Sequence, residues 1–382
     1  MVATTRTVIQ RYLLPRQLHP FAWWGYALAI AVAGSTTTNP LLLLGFIAVI
    51  CLVTVSRRGS NPWARSFRMY LYLAAFIIVV RIGFRVLFGG ADGPTILFTL
   101  PEIPLPSWVR GIRLLGPVSL ESVLSGFYDG ARLAMIVVCF GAANSLANPK
   151  KLLASLPGAL YELGTVMIVA VSALPQLGES LQRVARARKL RRAPATRTRR
   201  ERLRVVETII VPVLSDALER SLSLAASMDV RGYGRTGTQT PRDRALSLGL
   251  ALVSMGGLAV WAFRFLGGVP DLRLLDIPVI STVLLAVGVG AAVAALRISG
   301  RDVQRTQYRP IRWGLAETLA VACGVIPAVT IYLRANYADA WILFPSVSPF
   351  QWPALDLPLL LVLIVAALPA FITPAPEIRR SA

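Results

Sequence analysis

The sequence contains few of the residues that soluble enzymes use for metal binding or acid–base catalysis. Its 382 residues include one histidine, three cysteines, and 19 Asp and Glu against 40 Lys and Arg. One histidine, His19, is too few for a His-based metal site or catalytic triad, and acids are scarce. Cys51, Cys139 and Cys323 each lie in an apolar run, without the spacing of a disulfide framework or a zinc motif. The phosphate-binding pattern GxxxxGK[ST] is also absent, so we do not expect the chain itself to bind ATP in that way.

Long apolar runs dominate the chain instead. Runs such as 41–55 and 245–262 are apolar on every side, and helices without a polar face lie in lipid or in a large core. About 20 such residues cross a hydrocarbon layer of about 30 Å. The sequence therefore predicts an all-α, polytopic helical membrane protein with about eight spans. We place these at 21–36, 41–56, 69–88, 120–143, 245–266, 278–297, 313–333 and 357–373.

The positive charge lies between the apolar runs. A net charge of +21 could indicate a nucleic-acid-binding protein, but Lys and Arg cluster in short connections, as the positive-inside rule describes. Residues 57–68 carry four arginines and no acid, whereas the charges of residues 89–119 sum to zero. We therefore expect a multi-pass cell-membrane protein in the lipid bilayer, with both termini cytoplasmic and no nucleic-acid partner.

One apolar run, Leu156–Leu174, does not fit this alternation. Lys150 and Lys151 precede it and a strongly basic segment follows, so a crossing here would place the most basic part of the chain outside. We interpret it as a cytoplasmic or interface-lying helix. The alternative is a ninth span, with the first pair of spans miscounted.

The central segment 175–244 contains sixteen Lys and Arg and seven Asp and Glu, a net charge of +9. Helical periodicity persists within it, in a first apolar stripe through Leu177 and Leu181 and a second through Leu214 and Leu218. Two amphipathic helices joined by a charged connector are therefore predicted. The chain divides into N-terminal transmembrane helices (1–145), a cytoplasmic region with this helix pair (146–244), and C-terminal transmembrane helices (245–382).

The end of the second amphipathic helix carries a specific motif. It is Ala/Leu-rich and then reads Met228-Asp-Val-Arg231-Gly232-Tyr-Gly234. This closely resembles the second coupling-helix signature of the T component of energy-coupling factor (ECF) transporters, a cobalt-transporter Q-like family. The first helix, from Pro175 to Arg191, is similar to the companion motif, although Arg192 stands where the family usually has glycine. The resemblance covers about residues 12–265.

The resemblance implies a non-catalytic membrane scaffold with two coupling helices. These helices would rest in grooves of two ABC-type ATPase subunits, which would hold the ATP and Mg²⁺, so no cofactor is expected in this chain. The scaffold would also hold a small membrane substrate-capture (S) subunit, and ATP-driven closure would topple that subunit during uptake of a vitamin or transition-metal micronutrient.

Six residues are implied to couple the scaffold to the ATPases: Arg231, Gly232, Met228 and Ala225 in the second helix, and Arg191 and Arg188 in the first. Arginine offers a planar fork of donors for a partner's carboxylates or carbonyls. Glycine can adopt the left-handed conformation that ends a helix. The alternative is that Arg231-Gly232 merely closes an amphipathic helix, since both residue types are common there.

The sequence leaves three further questions open. A stand-alone secondary carrier or a membrane-embedded enzyme is the alternative function, although no convincing inverted repeat or cluster of acids supports either. The family usually ends about one span after the coupling helices, so the last spans form an extension that packs on the scaffold or recruits a partner. Within the spans, Arg81 and Arg85 either reach the outer interface or face the capture subunit, and Arg132 is expected to pair with Asp129 or Glu121.

Overall fold

Helices make up most of the chain in the computed structural model, which describes residues 16–59, 66–88, 93–101, 115–190, 199–232, 240–267, 273–274, 277–300, 313–337 and 340–375. In chain order the helices are α1 (Pro20–Ser35), α2 (Pro40–Arg57), α3 (Phe67–Phe88), α4 (Leu120–Leu146), α5 (Pro149–Ala154), α6 (Tyr161–Leu190), α7 (Arg199–Val230), α8 (Pro241–Leu266), α9 (Val279–Ser299), α10 (Leu315–Tyr337), α11 (Ala340–Leu343), α12 (Leu357–Ala367) and α13 (Pro369–Ile372). The all-α prediction is confirmed.

Short antiparallel strand pairs occur in two connections. Strand β1 (Ile96–Thr99) pairs with β2 (Pro117–Ser119) between α3 and α4, and β3 (Arg273–Leu274) pairs with β4 (Ile277–Pro278) before α9. These hairpins were not predicted, because strands of two to four residues are too short to show a reliable alternation in sequence.

Seven of the eight predicted spans each coincide with one helix, and the eighth, at 357–373, coincides with two. By length and composition, seven helices of the described chain can cross a membrane, namely α2, α3, α4, α6, α8, α9 and α10. Helix α1, which coincides with the span predicted at 21–36, has 16 residues and is not one of these seven helices. The span predicted at 357–373 is divided into α12 and α13 at Leu368, because Pro369 has no backbone N–H to continue the helix.

Helix α6 joins two segments that the sequence analysis treated separately. It runs through the apolar stretch before Pro175 and continues into the first amphipathic stripe. Proline in a helix interior usually breaks the helix, which is why a boundary was expected near this residue. Because α6 is also long and apolar enough to span, the interface-lying helix and the ninth span remain alternative predictions.

The chain forms two compact units, and the first comprises Met1–Leu152 with Arg309–Ala382. In this unit α10 packs along α1, and a Cβ atom at Gly324 would lie 2.8 Å from the carbonyl oxygen of Tyr26, so the two helix backbones approach closely. Helices α2 and α4 also pack on α1 and on each other, and α12 packs on α2. Large side chains fully buried in this core include Tyr26, Ile30, Phe46, Met135 and Ile331.

Polar contacts reinforce the packing of the C-terminal helices in this unit. Glu317, whose side chain is 0% exposed, accepts two hydrogen bonds from Arg16, at 3.0 and 3.1 Å, and one from the backbone N–H of Gly314 at 3.0 Å. The Asn39 amide donates to the carbonyl oxygens of Ile342 and Ala354, both at 2.8 Å. The C-terminal extension is therefore packed into the N-terminal helices, one of the two outcomes left open by the sequence.

Charged side chains pair between and along helices α3 and α4. Arg85 on α3 lies 3.7 Å from the carboxylate of Asp129 on α4, and Arg132 lies 3.3 Å from the same carboxylate. The predicted pairing of Arg132 with Asp129 is confirmed. Glu121 instead accepts a hydrogen bond from the backbone N–H of Thr95 at 3.3 Å. Arg85 is thus paired within this unit, whereas Arg81 is exposed, and whether it faces a capture subunit stays a prediction.

The second unit comprises Leu153–Tyr308. Its helices form two packed pairs, α6 with α7 and α8 with α9, and a 3₁₀ turn at Gly158–Leu160 contacts both α6 and α9. A Cβ atom at Gly158 would lie 2.9 Å from the carbonyl oxygen of Gly300, so this turn lies close to the C-terminal end of α9. This unit contains the two amphipathic segments predicted within 175–244, which lie in the second half of α6 and in α7.

Candidate functional site

The pair α6 and α7 presents an open apolar face. Leu214, Leu218 and Leu222, spaced by four residues on one side of α7, are 61%, 64% and 65% exposed. On α6, Leu177 and Leu181 are also exposed. These are the two stripes predicted from the sequence. Contiguous exposed apolar side chains with charged neighbours are typical of surfaces that bind another protein or a membrane.

The C-terminal end of α7 has the geometry predicted from its motif. The helix ends at Val230, Gly232 has a φ of 73°, and the N–H of Gly232 donates to the carbonyl oxygen of Asp229 at 2.9 Å. A positive φ is the left-handed conformation in which glycine has no Cβ penalty. The helix therefore stops sharply here and leaves the side chain of Arg231 exposed.

The other implied residues of α7 lie just before this end. Ala225 is exposed, and Met228 is half-buried. With Arg231 they form what we call the α7 tip: Ala225, Met228, Arg231 and Gly232. The tip offers a small residue, an adaptable apolar side chain and an unshielded guanidinium. These properties suit a protein contact, and the role of each residue remains a prediction.

The corresponding end of α6 is described in part. Arg188 is half-buried near the end of the helix, and the last residue, Leu190, is 85% exposed. Arg191 lies outside the described residues, as does Arg192. The structure therefore brings Ala225, Met228, Arg231 and Gly232 together on one helix end and places Arg188 at the end of the neighbouring helix in sequence.

A polar cluster that the sequence analysis missed joins α6 to α7. The Ser180 hydroxyl donates to Oδ2 of Asp216 at 2.6 Å, and Arg220 donates to both oxygens of Asp216, at 3.1 and 2.8 Å. The i,i+4 spacing of Asp216 and Arg220 could have indicated their pairing. Ser180 on α6 could not have been assigned to them, because no local pattern identifies a partner on another helix.

The electrostatics of this cluster keep Asp216 ionised. The hydrogen bond from Ser180, with the positive charges of Arg220 and Arg183, lowers the pKa of Asp216 below its ordinary value. The carboxylate therefore stays charged at neutral pH, and its stabilising contribution is lost only as the pH falls below the ordinary range of a carboxyl group.

Metal-ligand geometry does not occur in the part of the chain that the structure describes. There, no three His, Cys, Asp or Glu side chains lie together in a way that could hold a metal ion. The cationic and apolar surface of α6 and α7 is the feature of this unit that suits recognition of another molecule.

These features define a class: a multi-spanning α-helical membrane protein with a basic pair of amphipathic helices between its hydrophobic halves. Comparison with known proteins is consistent with this class and identifies a family within it. The sequence profile of the CbiQ family, described as "Cobalt transport protein", matches residues 15–241. The chain belongs to the CbiQ family.

Curated relatives extend the comparison. The energy-coupling factor transporter transmembrane protein EcfT of Exiguobacterium sibiricum is 30% identical over 246 residues, which cover 61% of this chain and 86% of the relative. EcfT of Listeria innocua is 22% identical over 243 residues, covering 57% and 88%. EcfT of Leuconostoc gelidum is 24% identical over 205 residues, covering 48% and 76%. The family match ends at residue 241, where α8 begins, so α9 to α13 lie beyond it.

Proposed function

We propose that this chain is the transmembrane scaffold of an ECF-type ABC importer. In this role α6 and α7 are the coupling helices, and they bind two ABC-type ATPase subunits in the cytoplasm. The scaffold also holds a small membrane substrate-capture subunit, which takes up a vitamin or a transition-metal micronutrient. ATP and Mg²⁺ belong to the ATPases, and this chain contributes no catalytic residue.

The observation that carries the proposal is the α7 tip. A left-handed Gly232 ends the helix directly after an exposed Arg231, beside an open apolar stripe, within the part of the chain that matches the CbiQ family. The resemblance to the T component of ECF transporters implies that these residues bind the ATPases. The predicted orientation, with both termini and residues 146–244 cytoplasmic, places the tip on the side where the ATPases and ATP are.

Attachment of the α7 tip to an ATPase would couple movement of the ATPases to movement of the membrane helices. A guanidinium can donate two parallel hydrogen bonds to a carboxylate or to carbonyl oxygens of a partner, and the apolar stripe supplies contact area around it. When the ATPases close on ATP, a helix held at its tip moves with the surface that holds it. The movement then reaches the membrane helices through α6 and α7, without any chemistry in this chain.

Substitution of Arg231 tests the proposal. Arg231→Ala is expected to weaken co-purification with the ATPases by about tenfold or more, because a charge-assisted contact at an interface is worth about 1.5–3 kcal/mol. Arg231→Lys is expected to retain the ATPases at a level between those of the wild type and Arg231→Ala, since lysine keeps the positive charge but lacks the planar set of guanidinium donors.

Arg58→Ala serves as the control, because it removes one exposed cationic side chain from another predicted cytoplasmic segment. It should retain the ATPases. Normal ATPase binding by an Arg231→Ala protein that inserts and is purified normally would refute the assigned role. Mass spectrometry of the intact wild-type complex would identify the capture subunit and its ligand.

A further inference from the structure

We propose that Ser180, Asp216 and Arg220 form a clasp that makes the two coupling helices move as one body. The inference rests on the proposed function, because it concerns how motion imposed at one helix end reaches the other helix. The three residues are positioning residues. They set the relation between α6 and α7 and are not themselves the contact with the ATPases.

The geometry of the clasp is specific. Ser180 is 3% exposed, and its hydroxyl points from α6 to the Asp216 carboxylate of α7 at 2.6 Å. Arg220, one turn further along α7, holds both carboxylate oxygens, so the acceptor is fixed in orientation before Ser180 approaches it. Asp216 thereby serves both its own helix and the neighbouring one.

Such a contact adds something that apolar packing does not supply. Leucine side chains can slide past one another at small cost, because the attraction between apolar surfaces is not directional. A short hydrogen bond to a carboxylate is directional, and a nearly buried donor left without its acceptor is costly. The clasp therefore fixes the register and the crossing point of the two helices.

Each of the two continuous helices contains a proline just before the clasp. Pro175 precedes Ser180 by five residues in α6, and Pro212 precedes Asp216 by four residues in α7. Each proline lacks the N–H that would close one helical hydrogen bond, so the helices are weakest there. The clasp joins the two segments that follow these weak points, 176–190 and 213–230.

These two segments carry the residues implied to contact the ATPases. Arg188 follows Ser180 by eight residues, about 12 Å along the helix, and Arg231 follows Asp216 by fifteen residues, about 22 Å. A force applied at the end of either segment is transmitted along the helix to the clasp. Because the clasp joins the two segments, displacement of one segment also displaces the other. Without the clasp, each segment could bend independently at its own proline.

A distance measurement within the assembled complex tests this. Spin labels are placed on the exposed positions Gln182 on α6 and Ser223 on α7, in a chain whose three native cysteines are replaced. The complex with its ATPases is measured by pulsed electron paramagnetic resonance, with and without ATP and Mg²⁺. With the clasp intact, the distance between the labels is expected to change by less than about 2 Å between the two conditions, the size of a small helix shift.

Ser180→Ala and Asp216→Asn are expected to broaden that distance distribution and to make it depend on ATP. Ser180→Thr keeps the hydroxyl and should behave as the parent. Ser221→Ala on α7 is the matched control, since that exposed hydroxyl donates to the Leu218 carbonyl of its own helix. Loss of stability alone would lower the yield of complex without making the distance depend on nucleotide.

The clasp is refuted if the parent distance changes with ATP as much as that of the variants, or if the variants behave as the parent. Failure of the proposed function would look different, because the parent chain would then not retain the ATPases at all.

Discussion

At the scale of single residues, Glu317 is a buried and fully hydrogen-bonded charge of the first unit. Its carboxylate is fully buried and lies in the first turn of α10, where the helix dipole favours a negative charge. Arg16 neutralises it, and the N–H of Gly314 supplies a further hydrogen bond. A buried charge is tolerated only when paired and hydrogen-bonded in this way.

We predict that Glu317→Gln destabilises the protein by about 1.5–3 kcal/mol, because it removes the charge that receives the hydrogen bonds of Arg16, a side chain that is 33% exposed. Unfolding of the detergent-solubilised chain, followed by heat or denaturant, measures this. Glu207→Gln on the exposed surface of α7 is the control and should change stability by less than about 0.5 kcal/mol. Equal stability of the two variants would contradict the structural role of Glu317.

Residue-scale prediction succeeded where the cause is local. The left-handed conformation of Gly232 was predictable because the motif places glycine directly after an arginine at the end of a helical stripe. Arg132 was expected to pair with Asp129 or Glu121, and its partner is Asp129, three residues earlier on the same helix. Ser180 and Glu317 were not predicted, because their partners lie far along the chain or on another helix, and hydrogen bonding at such range leaves no periodic signal.

At the scale of elements, the contact of α3 with α4 depends on two glycines one turn apart. A Cβ atom at Gly126 would lie 2.9 Å from Cγ of Arg85, and one at Gly130 would lie 3.1 Å from Cα of Ile78. The first neighbour is a flexible side chain and the second is backbone. Small residues of this kind let helices approach closely in a membrane, where apolar burial gives no net attraction.

Two matched substitutions should therefore have opposite signs. Gly130→Ala is expected to destabilise by about 1 kcal/mol, because the methyl group presses on the α3 backbone. Gly83→Ala is expected to stabilise by about 0.5–1 kcal/mol, since nothing lies within 4 Å of its Cβ position and alanine favours the helix. Thermal unfolding of both variants measures the two changes in stability. Destabilisation by both substitutions, or by neither, would contradict this packing.

Element boundaries were predictable to the extent that sequence fixes caps and periodicity. Asn39 caps α2 by accepting hydrogen bonds from Leu41 and Leu42, and Thr240 caps α8, so these helices begin near the predicted positions. The continuity of α6 through Pro175 was not predictable, because a proline indicates a break unless the surrounding structure accommodates it. The hairpins β1–β2 and β3–β4 were too short to recognise.

At the scale of the whole molecule, the last helices beyond the CbiQ match, α10 to α13, belong to the first unit, whereas α8 and α9 belong to the second. Helix α10 packs on α1, the Tyr26 hydroxyl donates to the Ala366 carbonyl at 2.7 Å, and Arg57 donates to the Ala370 carbonyl at 2.6 Å. Removing these helices would expose the apolar faces of α1 and α2 and strand several buried polar groups.

Deletion of residues 301–382 is therefore expected to prevent accumulation of folded protein. Expression level and size-exclusion behaviour of the truncated and full-length chains measure this. A truncated chain that is purified as a single species and still binds the ATPases would show that the extension is a dispensable addition.

The proposed coupling role requires the α7 tip to lie against an ATPase. A photo-cross-linking amino acid at Met228, in the assembled complex, reports what touches the tip, and the same group at Trp352, exposed between α11 and α12, reports on the predicted outer side. We expect an adduct between Met228 and an ATPase subunit and no ATPase adduct at Trp352. Absence of the ATPase from the Met228 adducts, or its presence at Trp352, would contradict that role.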